Sequence, residues 1–423
     1  MNFSLQNKSP LISNQFSERF LPLAQGGLRI SLLLFLFSIP LSFITSIREI
    51  TLGSAVFFWV MIMVLNKRAL FQRTPLDWPL LAWVGVAFLS LVWAVNPRYS
   101  FYEITGEILK GLVVYYLVYF NLNQEDHFKQ VYLALIFGNI LMVSFDLLDF
   151  YAQGGSLYAF TIRARSLHSG YGSFGTYLIT IFPFLLIGSF SPLLKKFRWV
   201  LWGLILLNLF CIYITFGRAM WLAVAIEVAV LGFVFKWKRI VLVLALGLLV
   251  FFLFVPRTVW FHGERLPSTE GAVSQPMGGT GGDLVDVWKL SFAFLQEKPF
   301  QGIGFGRYSF SEAFPDFRAR HQPLLWHAHN TFLNVFLQTG LQGLLIFLWL
   351  VIRILFVLYR RFKEGISSWP GMTALATGIM VIGFFSRNLF DDFYVDDNAL
   401  LFWFLVGTAL SGTARKKQEP NTL

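Results

Sequence analysis

Long apolar runs recur along this chain and constrain its fold more than any other feature. Each is long enough to cross about 30 Å of hydrocarbon as a helix. They lie at about 27–47, 51–66, 78–95, 104–121, 128–150, 171–190, 198–216, 219–235, 240–255, 330–358, 370–386 and 398–412. Hydrophobic residues make up 56% of the chain and charged residues only 13%, which is too apolar for an ordinary soluble domain. We predict an all-α, polytopic membrane protein with about twelve transmembrane helices.

Lysine and arginine clusters between the runs predict the orientation of these helices. With the N-terminus in the cytoplasm, every even-numbered connection falls inside and is basic, as the positive-inside rule requires. The clusters are Lys67/Arg68/Arg73, Lys129, Lys195/Lys196/Arg198, Lys236/Lys238/Arg239, Arg360/Arg361/Lys363 and Arg415/Lys416/Lys417. The net charge of +11 is therefore dispersed along the chain, and we expect no nucleic acid partner. The single cysteine, Cys211, lies inside an apolar run and is expected to be buried.

The same pattern divides the chain into five parts. We expect a cytoplasmic segment at 1–26, transmembrane helices 1 to 9 within 27–255, a large outer loop at 256–329, helices 10 to 12 within 330–412 and a cytoplasmic tail at 413–423. No soluble domain is expected beyond this membrane bundle and its outer cap.

The second half of the large loop is periodic. The residues that recur at helical spacing are Leu284, Val287, Trp288, Leu290, Ser291, Phe294 and Leu295. They predict an amphipathic helix that lies on the membrane or caps a cavity. The segment from Pro299 to Gly306 is then expected to end this helix with a turn.

The outer connections prefer arginine to lysine. Their cations are Arg48, Arg98, Arg163, Arg165, Arg218, Arg257, Arg265, Arg307, Arg318, Arg320 and Arg387, against Lys289 and Lys298 alone. The guanidinium group binds phosphate and carboxylate in a bidentate manner, so this bias indicates recognition of an anion. The alternative is that each arginine extends from a helix end toward water without binding a ligand.

The most informative polar stretch begins at His329 and reads H-N, nine residues, then G-x-x-G. We expect His329 on the first turn of a helix, with Asn330 or Thr331 as its cap, and Gly340 and Gly343 as points where a neighbouring helix approaches closely. The positive helix end favours a neutral imidazole that can accept a proton. His329 is therefore a candidate base, against the alternative of an interfacial histidine that only caps the helix. His327 is a competitor for the same role.

Clustered carboxylates follow Arg387 in the last outer connection, at Asp391, Asp392, Asp396 and Asp397. They could pair with arginines, orient His329, or bind a divalent ion, and the sequence leaves all three open. Glu103, Glu107 and Lys110 follow helical spacing and are expected to face the bundle interior.

The H-N-x9-G-x-x-G stretch, the preceding segment Pro299–Gly306, the long outer loop and the twelve-helix layout resemble the O-antigen ligase family. This resemblance implies transfer of a glycan from undecaprenyl diphosphate to a sugar hydroxyl of lipid A–core, at the periplasmic face of the bacterial inner membrane. It implies His329 as the general base and no metal, nucleotide or other cofactor.

The resemblance also implies arginine ligands for the diphosphate. Arg218 matches the arginine at the outer start of a helix in that family. The arginine that usually precedes the loop tryptophan is missing before Trp288. Either Arg265 or Arg257 from earlier in the same loop, or Arg163 and Arg165 from the shorter outer loop, are candidates to replace it. The remaining candidate substrate-binding residues are Asn330, His327, Arg387 and Asp391.

The acceptor is the open question. A polysaccharide polymerase, or a ligase acting on protein or a cell-wall polymer, would place the same demands on the site. A transporter of lipid-linked glycans is an alternative from another class, for which we would expect inverted repeats and helices broken by glycine or proline in both halves.

Overall fold

The computed structural model describes residues 10–66, 73–157, 162–165, 167–168, 170–236, 281–320, 326–363 and 365–411. Within these ranges the secondary structure is helical and contains no β-strand, which confirms the predicted all-α fold. The α-helices are α1 (Pro10–Ser38), α2 (Thr45–Asn66), α3 (Asp77–Leu89), α4 (Pro97–Glu103), α5 (Lys110–Asn121), α6 (Glu125–Ala152), α7 (Tyr171–Phe190), α8 (Arg198–Ile214), α9 (Arg218–Val234), α10 (Gly281–Glu297), α11 (Ser309–Ala313), α12 (Pro315–Arg320), α13 (Thr331–Phe362), α14 (Trp369–Arg387) and α15 (Asp396–Leu410).

Seven helical stretches in the described ranges are long and apolar enough to cross a membrane. Together with their composition they make the chain a polytopic membrane protein. The predicted number of about twelve spans is not confirmed, because the predicted span 240–255 lies outside the described residues and several apolar helices are shorter than a full crossing. For example, the 15 residues of α15 extend only about 22 Å at 1.5 Å per residue.

The first two helices do not begin and end where the apolar runs do. The run at 27–47 predicts one span, yet α1 begins at Pro10 and ends at Ser38, two residues before Pro40. The residue before a proline avoids helical backbone angles, which explains why the helix stops there. The polar segment predicted at 1–26 is thus helical from Pro10 onward.

Three helices occupy the interior of the bundle. Side chains of α7 are buried from Gly172 to Ser189, and those of α15 from Asn398 to Leu410. Helix α14 packs against α7, α9 and α13. Cys211 of α8 is buried, as predicted. The large apolar side chains of the peripheral helices, such as Trp199 and Phe233, are exposed and available to lipid.

Helix α13 carries the H-N-x9-G-x-x-G stretch and is broken within it. Asn330 caps the helix, since its Oδ1 accepts a hydrogen bond from the Leu333 N–H at 3.0 Å. Gly340 has φ +75° and ψ −178°, which a residue with a side chain would rarely adopt. The part beyond this break, 341–362, is about 33 Å long at 1.5 Å per residue and suffices to cross the hydrocarbon.

The break at Gly340 receives the backbone of the segment that follows α10. The Leu341 N–H donates to the Pro299 carbonyl at 2.8 Å, and the Ile303 N–H donates to the Leu337 carbonyl at 2.8 Å. A Cβ on Gly302 would overlap the Gln338 carbonyl. The expectation that Gly340 admits a neighbouring helix is therefore wrong, because a loop docks there instead.

Helix α10 confirms the predicted amphipathic helix. Its inward face contributes to a second apolar core between α10 and the start of α13, separate from the core of the membrane bundle. The buried members of this core are Val287, Leu295, Ile303, Phe310, Phe317, Ala328, Leu333 and Leu337. The helix thereby forms a cap over the end of the bundle at which α13 begins and α14 ends, which we call the site end.

Candidate active site

The backbone around His329 is held from three directions. The Trp288 Nε1–H of α10 donates to the Ala328 carbonyl at 2.9 Å. The Ala328 N–H donates to Asn334 Oδ1 at 2.9 Å, and the Ser311 hydroxyl donates to the Trp326 carbonyl at 3.0 Å. His329 itself has φ +48°, a left-handed conformation that is strained for a residue with a side chain. It lies immediately before the cap Asn330, not on the first helical turn as predicted.

His329 and Arg387 share one carboxylate, that of Asp391. Nδ1 of His329 lies 3.1 Å from Oδ1, and Nη2 of Arg387 lies 3.3 Å from Oδ2. Burial raises the pKa of Asp391, but the hydrogen bond with His329 and the charge of Arg387 outweigh it and hold the pKa well below its usual range.

The ionised Asp391 carboxylate fixes the tautomer of His329. A carboxylate can only accept hydrogen bonds, so the neutral imidazole carries its hydrogen on Nδ1 and keeps the lone pair on Nε2. The side chain of His329 is 17% exposed. An imidazole oriented in this way can accept a proton at Nε2 from a group that reaches it.

His327 lies beneath His329. Its side chain is only 5% exposed, and the two ring centroids are 3.9 Å apart. Its Nδ1 accepts a hydrogen bond from the His329 backbone N–H at 3.0 Å. Burial, together with the neighbouring His329 and Arg307, lowers the pKa of His327 well below its usual value, so the ring stays neutral.

Asp392 fastens the last connection to the start of α13. Its carboxylate accepts hydrogen bonds of 2.6 Å from both Thr331 Oγ1 and Asn334 Nδ2. Nδ2 of Asn330 donates to the Leu389 carbonyl at 3.0 Å. Asn330 was predicted as a substrate ligand, yet both ends of its amide are engaged in capping α13 and in holding this connection.

Arg307 joins the site without having been singled out from the sequence. Its guanidinium donates to the Asp392 carbonyl at 3.1 Å, pairs with Asp396 at 3.4 Å and lies over the Trp326 ring at 5.0 Å. The signal that could have found it is the preceding Gly304-Phe305-Gly306, because both glycines have positive φ and deliver the chain into the bundle.

A small cavity of about 40 Å³ adjoins these residues on the membrane side. Its polar lining includes Glu107, Arg307, Asn334, Gln338 and Asp392, and its aromatic lining includes Trp83, Tyr394 and Trp403. By volume it holds roughly two water molecules. The predicted inward orientation of Glu107 agrees with this lining. Lys110, however, pairs with Glu49. The π-helical turn Ile104–Leu109 shifts the spacing between Glu107 and Lys110 away from that of a regular α-helix.

Two predicted arginines lie near the start of α9. Arg163 donates from Nη2 to the Phe216 carbonyl at 3.2 Å and lies over the Tyr171 ring at 4.0 Å. Arg218, two residues after Phe216, is the first residue of α9 and is exposed. The exposed Arg165 lies near in sequence, and its carbonyl accepts the His168 N–H. Arg265 lies outside the described residues, as does Arg257.

An aromatic contact connects the arginines with Asp391. The Phe393 ring packs against Gly172, the neighbour of Tyr171, and the guanidinium of Arg387 lies 4.9 Å from the centroid of the Phe393 ring. A chain of contacts through Tyr171, Gly172 and Phe393 therefore links Arg163 with the buried Arg387.

The four carboxylates of the last connection have separate partners. Asp391 binds His329 and Arg387, Asp392 binds Thr331 and Asn334, Asp396 pairs with Arg307, and Asp397 pairs with Arg48. Of the three interpretations left open by the sequence, pairing and orientation agree with these contacts.

A metal ion fits the site poorly. Nitrogens of His327 and His329 and an oxygen of Asp391 lie within 4.8 Å of one another, as three ligands would. However, Nδ1 of His327 accepts the His329 N–H, so its hydrogen lies on Nε2, the atom nearest Asp391. Coordination through that atom would cost the hydrogen bond, and Arg387 adds a repulsive charge beside Asp391.

The geometry agrees with the comparison against known families. Residues 203–348, about a third of the chain, match the family model described as O-antigen ligase. The match begins in α8 and ends in α13, so it contains Arg218, Arg307, His327 and His329. No curated protein matches the chain. The resemblance predicted from the sequence is thereby confirmed over residues 203–348, where the chain matches the O-antigen ligase family.

Proposed function

We propose that this protein transfers an O-antigen glycan from undecaprenyl diphosphate to a sugar hydroxyl of lipid A–core, at the periplasmic face of the bacterial inner membrane. The family match supports ligase- or polymerase-type chemistry in general. The observation that carries the specific proposal is the Arg387–Asp391–His329 arrangement, in which the carboxylate orients an imidazole that is 17% exposed and holds its hydrogen on Nδ1.

The reaction needs one base and a stabilised leaving group. Nε2 of His329 takes the proton of the acceptor hydroxyl while the oxygen of that hydroxyl attacks the anomeric carbon. The bond from that carbon to the diphosphate oxygen breaks, and undecaprenyl diphosphate leaves with the bonding electrons. Direct displacement inverts the anomeric carbon. Asp391 keeps its charge throughout and stabilises the imidazolium that forms.

Cationic side chains at the site end suit the diphosphate. Arg218 presents a bidentate donor on the first turn of α9, where the helix dipole also favours an anion. Arg163 is directed toward the same turn by Tyr171 and by the Phe216 carbonyl. We assign both to the diphosphate, and Arg163 in particular takes the place of the arginine missing before Trp288.

Transfer assays with purified protein test the base. The His329→Ala variant should lose about 10²- to 10⁴-fold in kcat, the usual contribution of a general base. Asp391→Asn should also lose activity, because its amide can donate to Nδ1 and reverse the tautomer. His127→Gln, at the other end of the bundle, is the matched control and should keep wild-type rates. A fully active His329→Ala enzyme would refute the assignment.

Two further arms of the assay separate the alternatives. Wild-type activity should persist in EDTA, since no step uses a metal, and its loss on chelation would return the carboxylates to consideration as ligands. Lipid A–core and lipid-linked glycan are offered as competing acceptors. Transfer to the lipid-linked glycan alone would identify a polymerase.

A further inference from the structure

We propose that His327 is a positioning residue that holds the backbone of His329 in its left-handed conformation, and that it is not a second base. The inference rests on the proposed function, since it assumes that His329 accepts the proton. It resolves the competition between the two histidines by giving them different tasks.

Neighbouring side chains and one backbone N–H enclose the His327 ring. One face lies against the His329 ring, with centroids 3.9 Å apart. Trp326 meets the ring edge-on, with centroids 4.7 Å apart and an interplanar angle of 85°. Nδ1 accepts the His329 N–H at 3.0 Å. A substrate hydroxyl cannot reach a ring enclosed in this way, because the side chain is 5% exposed.

The second nitrogen of His327 has no proton-accepting role either. Since Nδ1 accepts a hydrogen bond, the neutral ring carries its hydrogen on Nε2. This atom lies 3.9 Å from Asp391 Oδ1, which is beyond hydrogen-bonding distance. His327 therefore neither takes a proton from substrate nor relays one to Asp391 in this arrangement.

The hydrogen bond instead acts on the strained backbone. His329 has φ +48°, and the next residue, Asn330, is extended with φ −162° and ψ 116°. This abrupt change points the His329 side chain toward Asp391 while Asn330 caps α13. The bond from the His329 N–H to Nδ1 of His327 closes a small ring across this turn and opposes its relaxation.

Loss of the hydrogen bond between the His329 N–H and His327 should displace the His329 imidazole without removing it. A displacement on the order of 1 Å at a reacting group costs roughly 100-fold in rate, and loss of a supporting contact roughly 10-fold or more. The effect belongs to kcat, because donor binding depends on arginines elsewhere in the site.

Three substitutions at position 327 separate the acceptor from the ring. His327→Asn puts an amide oxygen near the place of Nδ1 and should keep kcat within about threefold of wild type. His327→Phe keeps a stacked ring but has no acceptor, and should lower kcat by at least about tenfold with KM for the donor lipid unchanged. His327→Gln reaches the position of Nε2 instead and should resemble the phenylalanine variant.

The controls address folding and the assumption about His329. His168→Phe changes another buried histidine that contacts two aromatic rings, and it should leave kcat unchanged. Size-exclusion profiles and thermal midpoints establish that each variant is folded. If the phenylalanine variant does not fold, the asparagine and glutamine variants decide between the outcomes.

Equal activity of the asparagine and phenylalanine variants, whether high or low, would overturn the proposal. So would a glutamine variant that is as active as the asparagine variant or more so. His329→Ala is assayed in parallel. If it is inactive, such results refute only the role of His327, whereas an active His329→Ala enzyme refutes the proposed function and this inference together.

Discussion

Left-handed backbone conformations mark the site at the scale of single residues. Among the described residues, four non-glycine positions have positive φ: Lys236 follows α9, whereas His329, Phe216 and Asp396 each have a site contact beside them. His329 binds Asp391, the Phe216 carbonyl holds Arg163, and Asp396 pairs with Arg307. Such conformations cost on the order of 1–3 kcal/mol each and persist only when surrounding contacts enforce them. The site is therefore stabilised by packing elsewhere in the bundle.

His168 gives this region a dependence on pH. Burial lowers the pKa of His168 to about 3, and its ring contacts Phe174 and Tyr177. Within the described residues neither of its ring nitrogens has a hydrogen-bond partner. Between its unfolded value of about 6.5 and the folded value, the unfolded chain binds a proton that the folded chain does not, so stability falls as pH drops through this range.

Replacement of this histidine should remove that dependence. At pH 5 the free energy of unfolding should be lower by at most about 2 kcal/mol because of His168. We expect the thermal midpoint of the wild-type protein in detergent to fall between pH 7.5 and pH 5, and that of His168→Phe to fall less. Thermal scans at several pH values measure both. Parallel curves for the two proteins would show that His168 does not titrate as argued.

Part of the site can be predicted from the sequence. His329 and Arg218 lie in motifs that identify them as candidates, and the excess of arginine over lysine in the outer connections indicates Arg163. Arg307 is one of the outer arginines, but no motif distinguishes it from the others, because its partners Asp392 and Asp396 lie more than eighty positions away in the chain. The capping task of Asn330 was predicted, but its second bond, to the Leu389 carbonyl, depends on a contact that only the folded chain creates.

At the scale of helices, glycine serves two different purposes in this bundle. Gly340 breaks α13 so that a loop can dock, whereas Gly383 in α14 makes room for a side chain of α9. The sequence does not distinguish these purposes, because both need only the absence of a Cβ. An apolar run locates α7 at 171–190 correctly, but such a run does not reveal the π-helical turn that follows α4.

The contact at Gly383 predicts a helix-packing defect. A Cβ there would overlap the carboxyl group of Glu227, which is buried between α9 and α14. Gly383→Ala should lower stability by about 1–3 kcal/mol, as overpacking of a filled interior does. The thermal midpoint and the monodisperse yield in detergent measure the effect.

Two further variants make that test specific. Gly378→Ala lies on the same helix, where the nearest atom to an added Cβ is Leu358 Cβ at 3.9 Å, so it should be neutral. Combining Gly383→Ala with Glu227→Ala should recover part of the loss, because the second change removes the overlapping group. Equal effects of the two glycine substitutions would mean that Glu227 is not the cause.

At the scale of the whole molecule, the site depends on elements from the entire chain. Arg48 in α2 pairs with Asp397 in α15, and the Ser42 hydroxyl donates to the same carboxylate at 3.3 Å. The last connection and the start of α15 thus contact the first helices, the start of α7 and the start of α13. Apolar runs predict where helices form but not which helices pack together, so this assembly could not be derived from them.

The orientation of the bundle can be tested with single cysteines. Cys211 is the only cysteine of the chain and is buried, so the native background of labelling should be low. Gln296→Cys puts an exposed thiol on α10, at the site end, and Ser367→Cys puts one between α13 and α14, beside the basic cluster of Arg360 and Arg361. Because basic connections remain in the cytoplasm, a membrane-impermeant maleimide added to spheroplasts should label position 296 at once and position 367 only after permeabilisation.

The reverse labelling pattern would mean that the site faces the cytoplasm and would contradict a periplasmic reaction. Labelling of both positions before permeabilisation would show that the two ends do not lie on opposite faces of the membrane.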